Sequence, residues 1–305
     1  MREIKARNRR KILLEFGLTK EEIQAYSLYR DAWQRLCRNL SAMISLVVII
    51  VFILMAIFAP IIAPHDPNMQ NLTNKVAAPG GGHPLGTDHL GRDILSRILY
   101  GARISLLVGL ITELIAVPIG VILGSVAAYY GGLADMIISR IIETLGSFPF
   151  IILAMCVMFV LGPGIINVFI ALGLTGWLGH ARQIRAAVLQ LKEREFIEAA
   201  RASGATIGQI IFKHMVPNCI STIIVISTWD IPADIAFEAT LSFIGLGVQP
   251  PTPSWGSMIS ESRKFIRQQW TFAFFPGLAM MILILAINIL GDGLRDAFDP
   301  KLKNQ

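Results

Sequence analysis

Three acidic residues at four-residue intervals interrupt an apolar stretch of this 305-residue chain: Asp230, Asp234 and Glu238. On a helix each step of four residues advances by about 400°, so the three side chains drift by only about 80° and share one face. A charge at bilayer depth costs about 2.5 to 3.5 kcal/mol on insertion scales and normally turns toward a protein interior or a watery cavity. We therefore expect this face to border a translocation pathway or a partner protein, where it could attract a positive amino group. The alternative is that Pro232 bends the helix and that Glu238 only caps or braces nearby backbone.

A polar segment from residue 193 to residue 218 is the second candidate site. Small side chains recur in it at three-residue intervals, at Ala199, Ala202 and Ala205. A helix through them has a narrow face that another surface can approach closely. Gly204 ends that helix or allows a sharp turn, and apolar helical spacing then resumes until Pro217 removes a backbone donor. The pattern predicts a helix, a bend and a second helix. It favours a docking site over a simple connector between membrane spans.

The sequence carries no recognisable set of catalytic groups. It lacks a Gly-x-x-x-x-Gly-Lys-Ser/Thr motif, so no segment is predicted to cradle nucleotide phosphates. No nucleophile, base and orienting group stand out as a set. The three cysteines form no Cys-x-x-Cys pair and the five histidines lack close ligand spacing. We therefore expect no disulfide framework, no metal site and no cofactor, and a protein that is not an enzyme.

The composition is that of an integral membrane protein. Hydrophobic residues make up 54% of the chain. Charged residues make up only 16%, well below the roughly 25% of soluble domains. The net charge of +6 could suggest nucleic acid, but the excess of Lys and Arg flanks the apolar runs, where anionic lipid headgroups explain it better. No nucleic-acid partner is expected.

Long apolar runs predict an all-α membrane protein with six transmembrane helices, since an open sheet edge would be unstable in lipid. A span needs about 20 apolar residues to cross a hydrocarbon core of about 30 Å. One charge-free run is too long for a single span, and Leu161-Gly162-Pro163-Gly164 divides it into two spans joined by a tight turn. The predicted spans cover residues 42–63, 104–130, two segments within 144–181, 218–246 and 271–291.

The second predicted span contains a single charge, Glu113. It also has small residues four apart, Ala116, Gly120 and Gly124, and such spacing lets two helices approach closely. Packing within the chain is favoured over contact with a second subunit.

Basic residues predict the orientation of the spans. The first 40 residues hold ten of the 27 Lys and Arg residues, which places the N-terminus in the cytoplasm. Six crossings return the C-terminus to the same side. We interpret residues 1–40 as a cytoplasmic basic and amphipathic segment, and residues 41–303 as the transmembrane domain. The first segment includes an aromatic and apolar stripe, interpreted as an interfacial anchor, at Tyr26, Tyr29, Trp33 and Leu36.

Two regions are predicted to lie on the outer side, residues 65–103 and residues 247–270. In the first, an amphipathic helix is predicted on the outer surface before the second span, from the spacing of Ile94, Leu95, Ile98 and Leu99. In the second, an interfacial helix is predicted from Trp255, Phe265 and Trp270 with Arg263, Lys264 and Arg267. These regions either receive another protein or anchor the chain in lipid.

Several blocks of the sequence, in order, resemble membrane subunits of ABC importers in the oligopeptide and dipeptide permease family, which includes nickel permeases. Glu198-Ala199-Ala200, followed by Gly204 and Pro217, resembles the cytoplasmic EAA loop that docks onto a separate ATPase. Residues 83–109, 238–256 and 291–300 are similar to three further blocks of that family. The resemblance runs from about residue 41 to residue 303.

The resemblance implies a type I ABC importer permease fold and a C-type membrane subunit, with residues 193–218 as the coupling loop of a permease domain. It implies an ATPase contact at Glu198, Ala199, Ala200, Ala202 and Gly204. It also implies a second permease subunit, two cytosolic ATPases, and an extracellular or periplasmic solute-binding protein. The implied location is a bacterial or archaeal cell (inner) membrane. The expected function is to form half of a pathway for di- or oligopeptides, with nickel or another small solute as the alternative.

A self-contained, ion-coupled secondary transporter is the alternative from a different class. That class predicts internal repeats and charge pairs inside the membrane. The sequence has no convincing repeat and no Lys or Arg in the middle of a predicted span. The ABC importer is therefore the favoured interpretation.

Overall fold

The computed structural model describes residues 30–298 of the chain. The expectations for Tyr26, Tyr29 and the N-terminal basic cluster lie outside the described residues. Residues 30–38 are helical, and Leu36 packs against Ala42 and Ala297, whereas Trp33 is 56% exposed. Leu36 is thus held by the protein itself.

In residues 40–298 the chain forms helices, and its β-structure is limited to isolated bridges. The principal helices are α1 (Leu40–Ile62), α2 (Ile94–Tyr130), α3 (Gly132–Gly146), α4 (Phe150–Leu161), α5 (Ile165–Lys192), α6 (Glu195–Ala202), α7 (Ile220–Ile244), α8 (Trp255–Ser262) and α9 (Thr271–Phe298). The predicted all-α class is confirmed.

Four of the described helices are long and apolar enough to cross a membrane: α1, α2, α7 and α9. Helices α3 and α4 make a fifth candidate if they are one span bent by 91°. Helix α5 is 28 residues long but is not among these candidate spans, and its second half contains Arg182, Arg185 and Lys192. The count of six spans stays a prediction.

Two breaks divide the region between α2 and α5. The predicted turn after Leu161 is present, and Gly162 and Gly164 adopt positive φ angles of 83° and 145°. The other break, at residues 147–149, is one that the sequence analysis did not predict. Pro149 restricts the residue before it and has no N–H to continue a helix, so α4 starts afresh at Phe150. The third helical segment also begins earlier than the expected 144, at Gly132, directly after the positive-φ Gly131 that ends α2.

Helix α2 lies at the centre of the bundle and packs along α5. A Cβ added at Gly120 would lie 2.4 Å from the Cβ of His180, and one at Gly124 would lie 2.5 Å from the carbonyl oxygen of Ala181. Only glycine permits this approach. The small-residue face of the second span therefore packs within the chain, as expected from its spacing.

The start of α2 differs from the sequence-based expectation. The predicted separate surface helix is wrong, because the helix runs without a break from Ile94 to Tyr130. Asp93 caps it, with its Oδ2 accepting from the backbone N of Ser96 at 2.7 Å. The first turns are buried against α8 and α9, where Ile94 contacts the cluster of Met258 and Phe272.

Trp255 was expected to lie in the lipid interface, and this expectation is wrong. Its side chain is fully buried at the start of α8, and the indole Nε1 donates to the carbonyl oxygen of Ile98 at 3.0 Å. The ring also meets Phe52 edge to face, with centroids 5.8 Å apart. Trp270, by contrast, is 58% exposed, in keeping with an interfacial position.

Candidate docking loop and translocation cavity

The coupling loop, residues 193–218, bends at Gly204. The backbone N–H of Ala205 donates to the carbonyl of Ala200 at 3.1 Å, and that of Gly204 donates to the carbonyl of Arg201 at 3.1 Å. These two bonds close the end of α6 in a Schellman motif, which requires a left-handed residue. Gly204 supplies it with a φ of 80°. The bend therefore follows from local backbone chemistry.

The second half of the loop begins with a capping box. Thr206 Oγ1 accepts from the backbone N of Gln209 at 3.3 Å, and Gln209 Oε1 accepts from the backbone N of Thr206 at 2.8 Å. Helical turns then run to Asn218, with wide π-type turns over Ile210–Met215. Pro217 has no N–H to continue the regular ladder there. The predicted order of helix, bend and helix is confirmed, whereas the widened turns were not foreseen.

Helix α6 presents one face outward and anchors the other. Glu198, Ala199, Ala202 and Gly204 are exposed, and Ala200 is half-buried. Beneath them Ile197 is fully buried in an apolar cluster with Val188 of α5 and with Ile210 and Met215. The structure thus brings the five predicted docking residues together on a small, exposed surface with a rigid base.

Two charged side chains, one at the end of α5 and one in the loop, contact the end of α2. Lys192 Nζ donates to the carbonyl oxygens of Tyr129 at 2.7 Å and Ala128 at 3.3 Å. The Arg201 guanidinium lies 5.9 Å from the centre of the Tyr129 ring. A cation at the C-terminal carbonyls of a helix is favourable because those carbonyls carry partial negative charge. Helix α6 therefore contacts both α2 and α5.

A cavity of about 350 Å³ opens between α5, α7 and the bend that joins α3 to α4. We call it the α5–α7 cavity. Its polar lining consists of Glu113, Thr175, Arg182, Asp230 and Asp234. Apolar side chains cover most of the remaining wall: Leu145, Phe148, Phe150, Leu153, Leu178, Ala233 and Phe237. Two of the three predicted pathway acids therefore face a common space.

A histidine joins three helices beside this cavity. His180 Nε2 lies 3.2 Å from Glu113 Oε2 and 3.4 Å from Asp230 Oδ2. His180 and Glu113 are buried, whereas the Asp230 side chain is 44% exposed. Asp234, one turn further along α7, is only 5% exposed. One imidazole can balance one carboxylate, so the three acids exceed the positive charge placed against them.

Glu238 is separated from the other two acids. It is 1% exposed, and its Oε1 accepts from Ser242 Oγ at 2.6 Å. Ser242 Oγ in turn accepts from the backbone N of Val248 at 3.1 Å. Glu238 therefore supports the turn that follows α7 and does not line the α5–α7 cavity. This placement agrees with the bracing alternative raised from the sequence.

Sequence reasoning missed Glu113, His180 and Arg182 as members of the site. Glu113 carried a usable signal, since an isolated acid in an apolar span is by default a functional candidate. His180 lies 67 positions from Glu113 along the chain, and only the packing of α5 on α2 brings them together. No local spacing could have revealed that pairing.

A second group of buried charges lies where α2 begins, and we call it the outer network. Arg92 contacts Asp88 at 2.5 Å and Glu261 at 2.7 Å. Arg97 lies 3.6 Å from Asp88 and 3.7 Å from Glu261. The two guanidinium groups and two carboxylates balance, and they join the loop before α2 to α8.

Among residues 30–298, three groups of His and carboxylate side chains are close enough to hold a metal ion: His65 with His83 and Asp93, Asp88 with His89 and Glu261, and Glu113 with His180 and Asp230. Hydrogen bonds already account for the first group, since His83 Nδ1 lies 2.9 Å from Asp93 Oδ1 and His65 Nε2 lies 3.0 Å from the Gly82 carbonyl. The expectation that the chain has no metal site stays a prediction.

Two family models match the sequence. The model described as "binding-protein-dependent transport system inner membrane component" matches residues 116–304. The model described as "N-terminal TM domain of oligopeptide transport permease C" matches residues 27–79. Together they cover most of the chain.

Curated relatives are similar over nearly the full length. The dipeptide transport system permease protein DppC of Bacillus subtilis is 44% identical over 278 residues, covering 91% of this chain and 87% of the relative. The protein of that name from Alkalihalophilus pseudofirmus is 43% identical, covering 93% and 94%. The glutathione transport system permease protein GsiD of Pectobacterium atrosepticum is 42% identical, covering 90% and 92%.

Solved structures support the fold. The inward-facing MetNI methionine ABC transporter matches with a TM-score of 0.55 and 21% identity, covering 67% of this chain and 97% of that chain. An amino acid ABC transporter solved with histidines matches with a TM-score of 0.52 and 16% identity, covering 65% and 92%. The protein is thus a multi-pass permease subunit of an ABC importer and not an enzyme, and ATP hydrolysis belongs to a separate subunit. The chain belongs to the family of binding-protein-dependent transport system inner membrane components.

Proposed function

We propose that this chain forms half of the translocation pathway of an ATP-driven importer of di- or oligopeptides. The observation that carries the proposal is its identity of 43–44% with dipeptide permease subunits over more than nine-tenths of its length. The glutathione permease relative, at 42%, also names a small peptide-like solute. These relatives favour peptides over the nickel alternative.

The proposed assembly contains a second permease subunit, two cytosolic ATPases and an extracellular or periplasmic solute-binding protein, in the inner membrane of a bacterium or archaeon. Both termini lie in the cytoplasm, six spans cross the lipid, and residues 65–103 and 247–270 help to receive the solute-binding protein. The N-terminal charge bias supports this orientation. A cysteine replacing the exposed Arg267 tests it: an impermeant thiol reagent should label intact cells, and labelling only after the membrane is broken would contradict the topology.

The ATPase docks, in this proposal, on the exposed surface of the coupling loop. The contact residues are Glu198, Ala199, Ala200, Ala202 and Gly204. Their small side chains leave room for a close approach, and the buried Ile197 with Lys192 and Arg201 holds the surface firmly from below. A rigid base is what a docking site needs if it is to transmit force to the membrane helices.

Alternating access follows from the continuity of α5. This helix runs from the apolar cluster under the loop, where Val188 contacts Ile197, to the cavity wall at Arg182 and Gly179. Closure of the ATPases would displace α6 and tilt or shift α5, and so change the α5–α7 cavity. ATP must favour one state through differential contacts with the two conformations. The loop provides such contacts outside the lipid.

Cysteine cross-linking tests the docking surface. In the complete complex, with the native cysteines at positions 37, 156 and 219 replaced, a cysteine at Ala202 should cross-link to the ATPase in at least one nucleotide state. A cysteine at Phe159, which is 86% exposed at the end of α4, serves as the matched control and should not cross-link. Absence of cross-linking from Ala202 and its neighbours in every nucleotide state would refute the assignment.

A further inference from the structure

We infer that the α5–α7 cavity is a two-ended charge site for a zwitterionic substrate. The carboxylates of Glu113, Asp230 and Asp234 receive the N-terminal ammonium of a short peptide, and the guanidinium of Arg182 receives its C-terminal carboxylate. This inference rests on the proposed function, since it specifies how a peptide pathway would contact its substrate.

The acidic end of the cavity lacks enough partners within the chain. Asp234 is 95% buried, yet its Oδ2 has no hydrogen-bond partner among the described residues. His180 contacts Glu113 and Asp230 and can balance only one of the acids. Buried polar atoms are normally satisfied, and because Asp234 lines the cavity, a donor group bound there could supply the bond that its carboxylate lacks. An ammonium group offers three donors and a positive charge.

The basic end of the cavity is formed by Arg182, an exposed residue whose side chain lines the cavity. No carboxylate of the described residues lies within ion-pairing distance of it. Arg185, three positions along α5, donates two hydrogen bonds to Asp135, from Nε to Oδ1 at 2.5 Å and from Nη2 to Oδ2 at 2.6 Å. The planar guanidinium is suited to bind a carboxylate in that manner. The guanidinium group of Arg182 is thus available to bind a substrate carboxylate.

Glycines keep the space between the two ends open. A Cβ at Gly179 would meet nothing within 4 Å, and one at Gly146 would meet Arg182 Nη2 at 3.2 Å. The volume of about 350 Å³ is at the lower end of the range for small-molecule sites, about 300 to 1,000 Å³. The wall between the ends is mainly apolar and contains Phe148, Phe150 and Phe237. Such a wall accepts varied side chains, so the site selects for termini and not for a particular sequence.

Uptake by the complete complex in proteoliposomes tests the inference. Asp234→Asn and Arg182→Gln should each lower the maximal uptake of an unmodified dipeptide on the order of tenfold, since each loses a charge-assisted contact. Both variant complexes should still assemble with the second permease subunit and the ATPases, as a pull-down would measure. The Asp234→Asn complex should take up an N-acetylated dipeptide at the wild-type rate, because this substrate has no ammonium group for Asp234 to bind. Wild-type uptake of the unmodified dipeptide by both variants would overturn the inference.

A second measurement does not depend on the solute-binding protein. In a complex without native cysteines, a cysteine at Ala233, which lines the cavity beside Asp234, should react faster with a cationic methanethiosulfonate than with an anionic one, relative to the ratio at the Phe159→Cys control. Adding Asp230→Asn and Asp234→Asn should make the ratios at the two positions equal. Equal ratios at positions 233 and 159 without the Asn substitutions would contradict the acidic end.

Different results would contradict the proposed function and the two-ended charge site. If the wild-type complex imports no peptide with ATP, the proposed function itself is wrong. If the wild type imports dipeptides and both variants keep its rate and its preference for free termini, only the two-ended site is wrong.

Discussion

The outer network and the α5–α7 cavity both bury charged side chains, but they differ in how completely those charges are paired. In the outer network, Asp88 and Glu261 each lie within 4 Å of both Arg92 and Arg97. In the cavity, His180 lies against Glu113 and Asp230, whereas Asp234 and the exposed Arg182 have no ion-pair partner among the described residues. The charges of the outer network balance within the chain, although Arg97 Nε and Nη2 make no hydrogen bond among the described residues. The acids of the cavity lack that balance, which leaves room for a positively charged ligand.

The same helix contributes to both groups. Arg97 and Glu113 both lie on α2, which at about 1.5 Å per residue separates them by about 24 Å along the axis. The residue types are similar in the two places. The difference in pairing predicts opposite responses to mutation: neutralising a charge should damage stability in the outer network and transport in the cavity.

The largest effect is expected for Asp88→Asn in the outer network. Asp88 Oδ1 accepts hydrogen bonds from the backbone N–H groups of Leu90 and Arg92 at 2.8 and 2.9 Å, and the amide oxygen of Asn can still accept both. The two buried arginines, however, lose a counter-charge. Removing one partner of a buried pair costs about 3–5 kcal/mol. Thermal unfolding in detergent should therefore shift strongly downward.

The matched control for Asp88→Asn is Arg140→Ala. It breaks the exposed pair of Arg140 and Glu143, which spans 3.2 Å at the surface. Exposed pairs contribute about 0–1 kcal/mol, so the control should unfold like the wild type. Equal melting temperatures for Asp88→Asn and the wild type would show that the outer network does not stabilise the fold.

Asp234→Asn should separate stability from transport. The substitution removes a carboxylate whose Oδ2 has no hydrogen-bond partner among the described residues, so the melting temperature should be unchanged or higher. Uptake of dipeptide should nevertheless fall on the order of tenfold. Measuring the melting temperature and the dipeptide uptake on one preparation checks both expectations. A melting temperature as low as that of Asp88→Asn would show that the cavity acids are structural.

Substitutions at Gly204 distinguish the shape of the coupling loop from its contact with the ATPase. Asn tolerates the left-handed φ of 80°, whereas Val does not, and strain of about 1–2 kcal/mol is expected for Val. A Cβ there meets nothing within 4 Å in this chain, so an added side chain points into the space proposed for the ATPase. Both variants should reduce ATPase recovery in a pull-down, Val more than Asn. Wild-type recovery with Asn would limit the role of Gly204 to the bend.

The smallest effect is expected for Trp255→Phe. The ring still packs near Phe52, but the carbonyl of Ile98 loses its bond from the indole N–H, which is worth about 1 kcal/mol. The melting temperature should fall slightly while uptake persists. Trp270→Phe, at an exposed position, should leave both unchanged. An equal fall for the two variants would contradict the buried role of Trp255.

Local chemistry made several features predictable from the sequence. The charge-free runs indicated helices in lipid, Gly162 and Gly164 marked the turn before α5, and Gly204 marked the bend of the coupling loop. Each depends on residues close together in the chain. The break at Pro149 also had a local signal, which the uniform hydrophobicity of its surroundings obscured.

Features that depend on distant residues could not be predicted in this way. The burial of Trp255 is decided by its fit against α2, since an indole is equally suited to a lipid interface. The three acids of α7 share a face by spacing, but only tertiary packing directs Asp230 and Asp234 into a cavity and pairs Glu238 with Ser242. Their roles diverge because their neighbours do.

The most direct test of the account is ATP-driven accumulation of a labelled dipeptide in proteoliposomes that contain the assembled complex. We predict that the wild type accumulates the dipeptide only with ATP. A complex with Asp234→Asn should assemble normally while importing on the order of tenfold less. Accumulation without ATP by the wild type, or undiminished import by Asp234→Asn, would contradict the account.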